Sequence, residues 1–185
     1  MNSSMQKYAS IPVQSEVASG TTDGASEVGN DKLRDSTAAF DTDGTVVGDV
    51  VWDTADDRMY TVAAIDSATV LSLTAIGATL GTGLNTAKAY VIYDISSSND
   101  QLVATDGVVI VENASADAIN SEVNIQYCGA SGISVKITHA AAAAGSEEMR
   151  DGFEDVVENS LIQAWPEVEY KWDVPSSYVL SISKV

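Results

Sequence analysis

The segment from Phe40 to Ala75 constrains the fold most, because it consists of short apolar runs separated by turn residues. The runs are rich in Val, Thr and Ile, and Asp, Ser and Gly lie between them, as in an antiparallel meander. Gly48 predicts a bulge or sharp bend that helps a small sheet to curl toward a barrel. The runs are Thr45–Val51, Arg58–Ile65 and Thr69–Leu73. We therefore predict a small antiparallel β-barrel over residues 32–95.

A second folded unit is predicted over residues 101–185, after the polar linker Ser96–Asp100. A helix is predicted after Ser146, a good N-cap residue that acidic residues follow in the first turn. Its core-facing positions, at helical spacing, are Met149, Phe153, Val156, Val157, Ser160 and Ala164. Strand patterns precede and follow the helix, and the wholly apolar Val108–Val111 is predicted to be buried on both faces. The predicted fold class is mainly β with an α+β part: the barrel, then a sheet with one packed helix.

Residues 1–31 are predicted to form an extended N-terminal arm, because they contain few large apolar groups. Within the arm, Tyr8, Ile11, Pro12 and Val13 form a short extended cassette of the kind that adds to an exposed sheet edge. We predict that these four residues bind a partner, and that the arm is disordered in solution and ordered on a neighbouring subunit. The alternative is a loose terminus without a function.

The balance of charges excludes several classes of partner. The 185 residues include 9 basic and 27 acidic ones, so the formal net charge is −18. DNA, RNA and anionic membranes attract basic surfaces, so none of them is an expected partner. The charge suits solubility or attraction to a basic partner surface. Residues 61–84, the most apolar long stretch, are interrupted by polar residues and are better explained by strands than by a membrane span.

No set of residues in the sequence predicts catalysis. Cys128 and His139 are the single cysteine and the single histidine, and a catalytic thiol needs a base beside it. Glu154 and Glu158 are the most plausible paired carboxylates, but they fit a solvated helix face better than an acid–base pair. We therefore expect that the chain is not an enzyme.

No cofactor or metal site is predicted either. Asp41–Gly44 and Asp53–Asp57 contain the oxygen ligands that calcium prefers. They lack the later ligands and the flanking helices of a calcium-binding loop, so we interpret both as turns. The glycine-rich segment at 77–83 lacks the Lys-Ser or Lys-Thr pair of a phosphate-binding loop.

The first unit resembles a small β-barrel module of structural proteins in tailed bacteriophages. The residues that carry the resemblance are Asp35–Phe40, Val47–Val51, Tyr60–Val62, Ile65–Ser67, Thr69–Leu73 and Ala89–Ile92. Two features depart from the pattern: Val70 stands where Thr or Leu is usual, and the loop Ile76–Ala87 is longer. The resemblance implies virion assembly rather than catalysis.

On this resemblance we expect a structural virion protein of a tailed phage, in particular a capsid decoration (cement) protein that clamps neighbouring shell subunits. The implied partners are the major capsid protein, other virion proteins and further copies of the chain, as a homotrimer. The implied location is the virion, assembled in the host cytoplasm. The alternatives are a neck or tail component and a receptor- or glycan-binding β module. Such a module would need exposed aromatic residues, for which the candidates are Trp52, Tyr60, Trp165 and Trp172.

Overall fold

The computed structural model describes ten segments of the chain: residues 6–23, 32–56, 58–76, 84, 87–114, 121–129, 132–140, 146–162, 169–174 and 178–185. The elements in chain order are β1 (Tyr8–Thr21), β2 (Lys32–Arg34), β3 (Val50–Asp53), β4 (Arg58–Ser67), β5 (Val70–Ala75), β6 (Ala89–Ala104), β7 (Val108–Asn113), β8 (Glu122–Tyr127), β9 (Val135–His139), α1 (Glu148–Ile162), β10 (Glu169–Lys171) and β11 (Val179–Lys184). The described chain is thus mainly β with one helix, as predicted.

The chain divides into two compact units. We call Gln14–Ser97 the meander unit, and Met1–Val13 together with Ser98–Val185 the helix unit. The division falls within the predicted linker Ser96–Asp100, but this segment is part of the long strand β6 and not a loop. The N-terminal residues belong with the C-terminal half of the chain, which differs from the predicted separate arm.

The meander unit contains the predicted antiparallel meander. Its strand order is β2-β5-β4-β3-β6-β1, and β3 pairs antiparallel with both β4 and β6. Val51 lies opposite Tyr60 on one side and Ile92 on the other, and all three are buried. These apolar side chains share one core with Phe40, whose ring centroid lies 6.2 Å from that of Tyr90. The remaining buried members of this core are Leu33, Val62, Leu71, Leu73 and Leu84.

The first predicted run begins as a turn and not as a strand. Gly48 has a φ of 105°, a left-handed conformation that glycine adopts without steric cost. The bend predicted at this residue is therefore present, and β3 begins only at Val50. The turn is fixed to β4, because Gly48 donates its N–H to the Val62 carbonyl at 2.9 Å and Val62 donates to the Asp49 carbonyl at 2.9 Å.

The helix unit has the strand order β1-β11-β9-β8-β7, and β10 also pairs with β1. The pairs of β1 with β10 and β11 are parallel, whereas β11, β9, β8 and β7 pair antiparallel. The buried face of α1 carries Met149, Phe153, Val156, Val157 and Ser160, as the helical spacing predicted. Ala164 lies outside the described residues.

Aromatic packing fixes α1 in the helix unit. Phe153 is fully buried and meets Trp172 edge to face, with ring centroids 5.4 Å apart. Burying a side chain of this size contributes about 1.5–3 kcal/mol to folding. At the start of the helix, the Glu148 N–H donates to Ser146 Oγ at 3.4 Å, so the predicted N-cap residue contacts the first turn. No helix of the described residues is long and apolar enough to cross a membrane.

One buried carboxylate in the meander unit depends on a glycine. Asp35 is buried, and Tyr90 Oη donates to its Oδ2 at 2.8 Å. Burial raises the pKa of Asp35, but hydrogen bonds from Thr37, Tyr90 and Thr21 outweigh that effect, so the net shift is downward. A Cβ atom on Gly20 would collide with Asp35 Oδ2 and lie 2.7 Å from Tyr90 Oη. Since these two atoms hold each other in place, neither can move away cheaply.

We therefore predict that Gly20→Ala destabilises the protein by about 1–3 kcal/mol, the usual cost of overpacking a filled site. The matched control is Gly132→Ala, because a Cβ atom there meets nothing within 4 Å. Urea denaturation followed by tryptophan fluorescence measures both. Equal stability of the two variants would contradict the close packing at Gly20.

Candidate functional site

The predicted partner-binding cassette lies inside the folded chain. Ile11 is fully buried and Val13 is 6% exposed, and both belong to the core of the helix unit. Tyr8 and Pro12 are half-buried in the same strand. The cassette is extended, but it lies in an interior strand, because β1 stands between β6 and β11 in the sheet order and also pairs with β10, all of its own chain. Tyr8–Thr21 therefore differs from the predicted mobile arm, whereas residues 1–5 and 24–31 lie outside the described residues.

Lys7 anchors the start of this strand. Its N–H donates to Asp106 Oδ2 at 3.0 Å, and its carbonyl accepts the Thr105 N–H at 3.0 Å. Its Nζ donates to the carbonyl of Ser160, near the end of α1. That contact places a cation where the last helical carbonyls lack partners and where the helix dipole is negative. These contacts add to the burial of Ile11 in holding the N-terminal segment on the helix unit.

We predict that Ile11→Ala lowers the free energy of unfolding by about 2–5 kcal/mol, because it leaves a cavity in a filled core. The control on the same strand is Glu16→Ala, since Glu16 is exposed. Thermal and urea denaturation of both variants measure the effect. A mobile arm would make the two variants equally stable, and that result would contradict the burial of Ile11.

The described parts of the aspartate-rich segments, residues 41–44 and 53–56, form turns, as predicted, and Asp57 lies outside the described residues. Asp43 Oδ1 accepts the Thr45 N–H at 2.9 Å, and Asp53 Oδ1 accepts the Ala55 N–H at 2.9 Å. Lys88 Nζ lies 2.7 Å from Asp56 Oδ1, and this hydrogen bond lowers the pKa of that carboxyl. Within the described residues, no group of three or more His, Cys, Asp and Glu side chains has the arrangement of a metal site.

We expect a chelator such as EDTA to leave the melting temperature unchanged, because backbone N–H groups and Lys88 already occupy the oxygens of these turns. Differential scanning calorimetry with and without EDTA measures this. A large drop that added calcium reverses would place a cation in one of the turns.

Cys128 and His139, the candidate thiol and the candidate base, lie far apart. His139 N donates to the Ser121 carbonyl at 2.7 Å, which places His139 at the start of β8. Cys128 follows the other end of β8, so a distance on the order of 20 Å separates the two at about 3.3 Å per residue. The His139 side chain is fully buried, and its Nδ1 lies 2.9 Å from the Ala140 carbonyl oxygen. This arrangement does not activate Cys128 as a nucleophile.

The aromatic candidates for a glycan platform are mostly core residues. Trp172 and Tyr60 are 1% and 4% exposed, and each belongs to the core of its unit. Trp52 is half-buried in β3, and Trp165 lies outside the described residues. Tyr60 and Trp172 therefore stabilise the fold and are not available for a flat aromatic surface.

The strand β7 is exposed, contrary to the prediction for Val108–Val111. Val109 is 56% exposed and Ile110 is 44% exposed. The physical reason is position: β7 is the last strand in the sheet order and, among the described residues, it pairs only with β8. Its register shifts between Val108 and Ile110, so Val109 is the extra residue of a β-bulge. A run of four apolar residues is equally compatible with a strand buried on both faces and with an exposed apolar edge.

A groove runs along this part of β7, and we call it the β7–α1 groove. Its lining residues are Val108, Val109, Ile110, Val111, Glu154, Val157 and Glu158. Its volume is about 260 Å³. Glu154 and Glu158, the pair predicted to lie on a solvated helix face, therefore form an acidic wall beside four apolar residues. No sequence pattern predicted this groove, because it depends on which strand is last in the sheet.

The face of the sheet that carries Glu112 is mostly polar, although Ile110, two residues before Glu112, shares this face by register. Glu112, Asn124 and Lys136 lie opposite one another across β7, β8 and β9. Lys136 Nζ lies 2.6 Å from Glu122 Oε1, so its charge is already paired. An ordinary solvated sheet face has this composition, whereas exposed Val and Ile at a sheet edge require an explanation.

A second exposed apolar pair lies in the meander unit. Val46 and Val47 are 49% and 62% exposed at the turn before β3. The turn is rigid, because the Val46 N–H donates to Asp49 Oδ2 at 2.8 Å and the Asp49 N–H returns to the Val46 carbonyl at 3.3 Å. Asp49 is fully buried beneath it, and burial raises the pKa of its carboxyl. The two valines are thus held outward by a fixed backbone.

Comparison of the chain with known protein families, characterised proteins and solved structures finds no match.

Proposed function

We propose that this chain is a structural virion protein of a tailed phage, a capsid decoration protein that clamps neighbouring shell subunits. The observation that carries the proposal is that each unit presents exposed apolar side chains on a fixed backbone. These are Val46 and Val47 in the meander unit and Val109 and Ile110 in the helix unit. A protein that joins subunits needs such surfaces at more than one place, because two weak contacts strengthen each other when one chain makes both.

The residues that carry the phage resemblance support the proposal through the contacts that they make. The segment Asp35–Phe40 contains the buried Asp35 and Phe40. Tyr90, in β6, contacts both of them. We propose that the meander unit is a small barrel in which the end strands β1 and β2 meet. In support, the Asp23 N–H, just after β1, donates to the carbonyl of Arg34, the last residue of β2, at 3.2 Å. Ser36 N donates to Asp23 Oδ2 at 3.0 Å and adds a second link.

The charge of the chain supports partners that are other proteins with basic surfaces. With a net charge of −18, the chain repels phosphate backbones and anionic lipids. The proposed partners are the major capsid protein, other virion proteins and, in the assembled particle, further copies of the chain as a trimer around a symmetry axis. The role requires no cofactor and no catalysis, and its location is the virion.

The test is to incubate the purified chain with phage heads that lack this protein. We expect saturable binding at regular shell positions in electron cryomicroscopy, and heads that resist disruption at a higher temperature. The variant Val46→Ser/Val47→Ser is expected to bind at least tenfold more weakly if the turn contacts the shell, since two buried valines contribute well over 1.4 kcal/mol.

The matched control is Leu102→Ser, which removes an exposed apolar residue that lies in neither surface. Density at the neck or tail instead of the shell would replace decoration by a neck or tail role. No binding to any part of the virion, together with a monomeric mass in the presence of particles, would refute the proposal.

A further inference from the structure

We propose, building on an assembly role for the chain, that the β7–α1 groove binds an extended, basic segment of a partner protein. In the proposed complex the segment adds as a new strand to the outer side of β7. Its apolar residues cover Val109 and Ile110, and its Lys or Arg residues face Glu154 and Glu158. Under the proposed function, this segment belongs to the shell subunit.

The backbone of β7 determines that the ligand is a strand. Among the described residues, β7 pairs only with β8, so one row of its N–H and C=O groups has no strand partner. An edge strand beside a helix is the arrangement that other domains use for strand addition, in which main-chain hydrogen bonds supply affinity. Natural edges usually carry charged residues, proline or a β-bulge that hinder such pairing. β7 has a bulge at Val109, but Val109 and Ile110 carry neither a charge nor proline.

The size of the groove favours side chains of a strand over a small molecule. Its volume of about 260 Å³ is below the ~300–1,000 Å³ of ligand pockets. The apolar Val108–Val111 line it on β7, and Val157 lines it on α1. A strand added to β7 places alternate side chains on opposite faces of the sheet. Its basic residues can therefore face Glu154 and Glu158 on the helix side, while its apolar residues cover Ile110 on the other face.

The charges around the groove determine the composition of the ligand. Glu154 and Glu158, one helical turn apart on α1, line it. The neighbouring cation Arg150 is already bonded to Glu147 and Asp151, at 2.8 and 2.7 Å. A second copy, with its own charge of −18, would be repelled from this wall, whereas a basic segment would be attracted.

The test uses three synthetic peptides and the full chain. The first alternates lysine and valine over ten residues, the second replaces each lysine with glutamate, and the third is the first with alternate backbone amides N-methylated. We expect only the first to bind in isothermal titration calorimetry, and its affinity to fall as salt is added. We also expect the amide hydrogens of residues 108–113 to exchange more slowly when it is bound.

Two pairs of variants locate the site. Glu154→Gln/Glu158→Gln should weaken binding of the basic peptide about threefold to tenfold, as expected for two surface charge pairs. The control Asp155→Asn/Glu169→Gln removes two exposed charges that do not line the groove and should leave affinity unchanged. Val109→Ser should also weaken binding, whereas Leu102→Ser, at the same 56% exposure, should not. Circular dichroism confirms that each variant is folded.

Equal binding of the acidic or the N-methylated peptide would overturn the proposal, as would no binding at all. A groove variant that changes self-association in sedimentation velocity, but not the affinity for the peptide, would also overturn the proposal. It would show that the groove binds a second copy of the chain. Because these experiments use the isolated chain, their outcome is separate from binding to heads. If the peptide binds but the chain does not bind heads, the virion role is refuted and the proposal of a peptide-binding groove still stands.

Discussion

The helix unit depends on the burial of β1 beside strands from the other end of the chain. Ile11 and Val13 enter the same core as Phe153 and Trp172, and the strand pairs in parallel with β10 and β11. Parallel neighbours so distant in sequence cannot be joined by a hairpin, so the pairing is held by side-chain burial and by the contacts of Lys7. The edge at β7 and the wall of α1 are positioned by a core that β1 completes.

The elements that local patterns determine were predictable from the sequence. The meander around Val51 and Tyr60 follows from apolar runs and turn residues, and the buried face of α1 follows from the spacing of Phe153 and Val157. The aspartate turns follow from side chains such as Asp53 that accept backbone N–H groups two residues onward. In each case the residues that decide the structure lie within a few positions of one another.

The features that were missed depend on partners far along the chain. Ile11 belongs to a polar segment with little apolar content, and it is a core residue because it shares a core with residues far along the chain, such as Trp172 and Val179. Val109 belongs to a strongly apolar run, yet it is exposed because no described strand follows β7 in the sheet. Local composition therefore gave the wrong burial for both Ile11 and Val109. The candidate binding surface is formed by β7 and α1 and not by the N-terminal strand.

The late completion of the helix unit has a consequence for synthesis. When Ile11 leaves the ribosome, β10 and β11, which will lie beside β1, have not yet been made, whereas Gln14–Ser97 is synthesised in full long before β11. At roughly 5–20 residues per second, the N-terminal strand waits on the order of 10 s for β11. During that interval Ile11 and Val13 are exposed to other nascent chains. The proline beside them and the polar residues that follow reduce the tendency of this segment to aggregate.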